Sequence, residues 1–173
     1  MKYLSLKTAK TSKIGQRSQG DIHYRILTDQ SHQQIFIVIT SNEDIGYFSK
    51  EIVPFEKIEK CIEGISPNIP ILSKLFKGAF IGQSNNNAAF MAAILRNEKL
   101  IAPVVDAVKK HSIQPGWDIW ETGMLSNKGK PFEPEPITPT TENDNSELDD
   151  ADLVLLQIRA PDEVPTKQRS KKS

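Results

Sequence analysis

Cysteine is almost absent from this chain. Its one example, Cys61, excludes an internal disulfide and a zinc site built on thiolates, and it fits a reducing compartment. No apolar run approaches the roughly 18 residues that a membrane-crossing helix needs. Met1 to Gln19 lacks the apolar core of a secretory signal, so none is expected. The histidines, His23, His32 and His111, stand far apart and form no metal-ligand spacing. There is no Gly-x-Ser-x-Gly elbow and no Gly-x-Gly-x-x-Gly turn. Gly78-Ala-Phe-Ile-Gly82-Gln83-Ser84 approaches a phosphate loop, but it is one residue short and carries Gln83 where the phosphate-binding lysine belongs. No catalytic residue, metal or cofactor is expected from these patterns.

Net charge is also absent overall, with 22 basic and 22 acidic residues among 173. The balance conceals a segregation. Residues 1–20 carry Lys2, Lys7, Lys10, Lys13 and Arg17 with no acid, whereas residues 21–130 carry 12 charges of each sign. Residues 131–163 hold ten acids against Arg159 alone, and Lys167, Arg169, Lys171 and Lys172 follow. All nine glycines and eleven of the twelve aromatics precede position 131, while six of the eleven prolines lie at or beyond it. Such a tail has too little apolar area to offset chain entropy. The expected organisation is therefore one domain, 1–130, with a basic flexible N-terminal segment, followed by a disordered acidic, proline-rich tail, 131–173, with a basic end. Pro131–Pro139 should lean toward polyproline II.

Within the domain the front half alternates with the period of strands. Ile22, Tyr24 and Ile26 share one face, opposite Asp21, His23 and Arg25. Ile35-Phe-Ile-Val-Ile39 suits a central strand buried on both faces. Asn42-Glu-Asp44 is turn chemistry, with Ile45–Val53 as the expected return strand. A short strand is expected around Leu4 and Leu6, and a flexible loop from Thr8 to Gly20. The back half turns helical. Pro54 opens a helix with Phe55, Ile58 and Ile62 on one face, closed by Gly64. A short helix is expected over Ile71–Phe76, and a deeply packed one after the Asn85–Asn87 caps. Pro103 predicts another helix through His111, and Trp117–Trp120 a final strand. Strands first and helices second indicate an α+β fold: a small, largely antiparallel sheet covered by helices.

Candidate sites follow from this organisation. The five N-terminal cations, Lys2, Lys7, Lys10, Lys13 and Arg17, on a loop without acids have the composition of a segment that follows a phosphate backbone. Leu153, Val154, Leu155, Leu156 and Ile158, preceded by Asp149, Asp150 and Asp152, form a β-prone run in a polar tail and read as a docking peptide, for a partner or for the domain itself. Asp21, His23 and Arg25 would present an acid–base pair beside a cation if they lined a pocket. A helix-turn-helix over Asn86–His111 is disfavoured because its only exposed cations, Lys109 and Lys110, fall at the far end of the second element. Trp117 and Trp120 suit a lid over the core better than a stacking platform.

The sequence reading is a cytoplasmic, non-enzymatic binding or accessory protein without a membrane span. It associates with nucleic acid through the basic segment, with the acidic tail as competitor or docking element. Two alternatives stand beside it: a protein-interaction module acting through 153–158, and a small enzyme using Asp21, His23 and Arg25.

Overall fold

The computed structural model describes residues 2–15, 19–44, 47–82 and 85–134, all within one compact unit, Met1–Thr141. The protein is α+β. A five-stranded antiparallel sheet has the order β4-β3-β2-β1-β8, from β1 (Tyr3–Ser12), β2 (Asp21–Asp29), β3 (Ile35–Asn42), β4 (Val53–Pro54) and β8 (Lys130–Phe132). A smaller sheet has the order β5-β7-β6, from β5 (Ile71–Leu72), β6 (Ile101–Val104) and β7 (Ala107–Ile113). The helices are α1 (Phe55–Ile62), a 3-10 helix (Ser73–Ala79), α2 (Asn85–Asn97) and α3 (Trp117–Leu125). Among the described residues no helix is long and apolar enough to cross a membrane.

Strand parity sets the core. Ile22, Tyr24 and Ile26 of β2 and Ile35, Ile37 and Ile39 of β3 face the helices and are all but inaccessible to solvent. They pack with Phe55 and Ile58 of α1 and with Ala88, Met91, Ala92 and Leu95 of α2. The opposite face of the sheet carries a second, smaller apolar cluster, Leu27, Phe36 and Val38, flanked by Tyr3, Ile52 and Phe132. This accounts for the continuous apolar run of β3.

Besides placing Ile71–Leu72 in β5 ahead of the 3-10 helix rather than within a helix, the structure corrects four sequence expectations. The first concerns Thr8–Gly20, where Thr8–Ser12 completes a ten-residue β1 paired along its length with β2. Leu4, Lys7, Ala9 and Thr11 lie on the helix side, and a bulge at Leu6 resets the parity. The second concerns Ile45–Val53: only Val53–Pro54 pairs with β3. Ahead of it, the Ser49 amide bonds Asn87 Oδ1 and the Glu51 amide bonds Ser49 Oγ, side-chain partners that replace a ladder.

The third correction is at Pro103, which belongs to edge strand β6 rather than a helix. There its missing N–H costs no ladder bond, and Asp106, at φ 60°, turns the chain into β7. The fourth is at Trp117–Trp120, which opens α3 after Gly116 at φ 88°. Trp117, Trp120 and Met124 then face the core with helical spacing. The body also extends past residue 130, since Lys130–Phe132 pairs with Ser5–Tyr3. The tail expected to be disordered lies, from 135 onward, outside the described residues.

Candidate functional site

Among the N-terminal cations, Lys7 and Lys10 do not share a surface. Lys7 points to the helix side of β1, and its ammonium lies 2.8 and 2.9 Å from the two oxygens of Glu98, whose side chain is 2% exposed. Glu98 follows α2, and its carboxylate also accepts the Tyr24 hydroxyl and, at 3.1 Å, the Trp120 indole N–H. Asn97 Nδ2 donates to the Tyr24 oxygen at 2.7 Å. Burial, then the neighbouring Glu98 carboxylate, push the Tyr24 phenol well above its ordinary range, so it acts as a donor here. This network ties β1, β2, α2 and α3 together.

Lys10 points to the other side of the sheet. It pairs with Asp21 at 2.9 Å, and hydrogen bonds from Lys10 and Ser12 lower the Asp21 carboxyl. Lys13, its side chain 9% exposed, lies 3.4 Å from Asp44 and 5.8 Å from the centre of the Phe90 ring. Lys2 is exposed ahead of β1, and Arg17 lies outside the described residues. Strand parity therefore sends Lys7 and Lys10 to opposite faces, each against an acid of this chain. The docking residues Leu153, Val154, Leu155, Leu156 and Ile158 likewise lie outside the described residues.

Asp21, His23 and Arg25 share the outer face of β2, as expected, but each engages a different group. His23 Nε2 lies 2.8 Å from Glu43. The Arg25 guanidinium sits 5.1 Å over the Phe132 ring, in a groove of about 340 Å³ bordered by Val38, Lys50 and Pro131.

A second polar constellation was invisible in sequence. His111 is inaccessible to solvent on β7. Arg96 Nε donates to its Nδ1 at 2.9 Å, so the neutral ring carries its proton on Nε2 and donates to Ser73 Oγ at 2.7 Å. Burial, then Arg96, depress its pKa to about 4. A serine–histidine hydrolase holds an acid where Arg96 stands, and its imidazole keeps the serine-facing nitrogen free to take a proton. Here that nitrogen is already protonated, so Ser73 is not activated. Among the described residues no group of three or more histidine, cysteine or acidic side chains is placed to hold a metal ion.

The exposed side of the helices is different. A groove of about 420 Å³ runs between α1 and the start of α3, bordered by Glu56, Glu59, Glu63, Lys60, Ile62 and Trp117. Lys60 is engaged by Glu56 at 2.6 Å. Burial, then the neighbouring Glu121 and Glu56, push the Glu59 carboxyl up. Trp117 forms part of the wall, stacked on Phe55 at 5.6 Å and donating its indole N–H to the Leu100 carbonyl. Trp120 packs on the same ring at 4.8 Å. Both tryptophans are thus lid residues over the core. Ile119, in the same turn of α3, is 74% exposed.

The chain was compared with protein-family models, curated proteins and solved structures, and none matches. What the fold itself defines is an α+β domain in which, among the described residues, every buried polar side chain has a hydrogen-bond partner, and whose helix face carries a groove bordered by acids.

Proposed function

We propose that the domain is a non-enzymatic protein-interaction module that takes a basic, partly apolar segment of a partner in the groove between α1 and α3. The observation that carries this reading is the juxtaposition of Glu59 and Glu63, beside the paired Glu56 and Lys60, with Ile62 and Trp117 around one groove. The aliphatic stem of a lysine or arginine packs on such apolar residues while its charge meets the glutamates. A cation beside Glu59 also offsets part of what raises its carboxyl, which is burial first and the neighbouring Glu121 and Glu56 second.

The nucleic-acid reading has less support. Following a backbone takes several cations on one surface, and Lys7 and Lys10 are held on opposite faces by Glu98 and Asp21. Cytoplasmic residence belongs to the same proposal; the lone Cys61 supports it. Docking through 153–158 remains a proposal of its own, tested by Leu153→Ser with Leu155→Ser and loss of partner capture without loss of stability.

Fluorescence anisotropy with a labelled lysine- and leucine-rich peptide tests the groove. Binding that weakens with salt, and that falls at least about tenfold in Glu59→Lys/Glu63→Lys, is the expected result. Equal binding by that variant, or tighter binding of nucleic acid than of the peptide, would overturn the reading.

A further inference from the structure

β1 is ten residues long, yet its outer neighbour, β8, covers only Tyr3, Leu4 and Ser5. Among the described residues, no strand pairs with β1 from Leu6 to Ser12 on the side away from β2. Thr8, Lys10 and Ser12 are exposed there, and even the helix-side residues Lys7, Ala9 and Thr11 are only half-buried, whereas the neighbouring Ile22, Tyr24 and Ile26 of β2 are fully covered. The half of each residue pair that points away from β2 is a row of backbone donors and acceptors, a template for another strand.

We propose that the Leu6–Ser12 edge accepts an extended acidic segment of a partner protein as an added strand. The charge pattern chooses the occupant. Every charged side chain on β1 is a lysine, and the exposed one, Lys10, has a side chain 61% open to solvent. A second copy pairing through its own β1 would bring lysine-bearing strands together, the usual device by which an edge resists its own kind. A strand with glutamate or aspartate at alternate positions, facing the side of Lys10, meets that exposed ammonium and shares it with Asp21 and the nearby Glu43. Backbone bonds supply the attachment, and Lys10 supplies the selection. The bulge at Leu6 marks where β8 ends and the added strand begins. This surface is separate from the groove between α1 and α3 and selects for the opposite charge.

The experiment is an amide-resolved NMR titration of the full chain with a synthetic peptide alternating glutamate with valine or isoleucine. Two controls accompany it: the same peptide with lysine for glutamate, and a copy N-methylated at alternate amides. Shifts concentrated on Lys7–Ser12, lost with the N-methylated copy, are expected. Lys10→Glu should lower acidic-peptide affinity at least about tenfold and reverse the preference toward the lysine peptide. Lys10→Gln, which removes the charge without reversing it, should lie between, so that misfolding of the reversed variant is recognised. Shifts elsewhere, indifference to N-methylation, or concentration-dependent self-association through β1 would overturn the proposal. A failed acidic peptide alongside a bound basic one would sink the edge and leave the groove reading standing.

Discussion

Lys7 and Glu98, 91 positions apart, meet with both carboxylate oxygens within 2.9 Å of the ammonium, on the buried side of the sheet. An ion pair this enclosed is weak evidence of net stabilisation, but breaking it by removing one partner is costly. Lys7→Met should therefore destabilise the fold by about 2–3 kcal/mol, less than the roughly 3–5 kcal/mol of a fully buried pair because the lysine side chain is 37% exposed. Adding Glu98→Gln should recover part of the loss, since the amide leaves no stranded charge, although its single oxygen accepts from only one of Tyr24 and Trp120, which donate to different oxygens of the carboxylate. Urea unfolding of the single and double variants measures this. Simple additivity of the two costs would contradict the coupling.

His111 gives the fold a pH dependence of defined sign. Its pKa in the folded protein is about 4, against an ordinary value of 6.5. Between those values the unfolded chain binds more protons, so stability rises with pH. The contribution is complete above pH 6.5 and lost as pH falls toward 4, up to about 3 kcal/mol. Urea unfolding across this window, compared with His111→Gln, should show the slope in the parent and flatten it in the variant.

Asp29 organises the turn between β2 and β3. Its carboxylate accepts the backbone N–H groups of Ser31, Gln33 and Gln34 and the Ser31 hydroxyl, which together hold it well below the usual carboxylate range. The stabilisation is present above the ordinary carboxylate pKa of about 4 and lost as pH falls through the lower folded value. Asp29→Ala should cost about 1–2 kcal/mol and remove that acid sensitivity, while leaving the His111 window intact. Thermal unfolding at neutral pH and near pH 3 separates the two effects.

Gly129 lets the chain approach β1. A Cβ there would come within 2.6 Å of the Leu4 Cβ. Gly129→Ala should force β8 off β1 and cost about 1–3 kcal/mol. The check is faster amide exchange at Tyr3–Ser5 with little change along β3; unchanged exchange would mean that the approach is not required.

The front of the fold was legible because Ile22/Tyr24/Ile26 and Ile35–Ile39 write their burial directly into their periodicity. α1 was legible for the same reason, through Phe55/Ile58/Ile62; α2 was expected after Asn85–Asn87 as caps, but those residues form its first turn and the buried Asn87 accepts the Ser49 amide instead. The misreadings share a cause, which is that local chemistry has more than one outcome. Pro103 suits a first helical turn as well as an edge strand. Gly123 interrupts the helical pattern that Trp117, Trp120 and Met124 otherwise write. The lysines and threonines of Thr8–Ser12 look solvated until β2 pairs with them and Glu98 arrives from the far end of α2. Neither the groove between α1 and α3 nor the Arg96–His111–Ser73 cluster was legible. Both depend on contacts between segments whose spacing in sequence carries no periodic signal.

The central claim is that the basic N-terminal segment is a built strand with one open edge rather than a free arm. Native-state amide exchange along Tyr3–Ser12 tests it most directly. The account predicts protection at Tyr3–Ser5 from both neighbours, and alternating slow and fast amides from Leu6 to Ser12. Uniformly fast exchange from Leu6 onward would contradict it and return those lysines to solution.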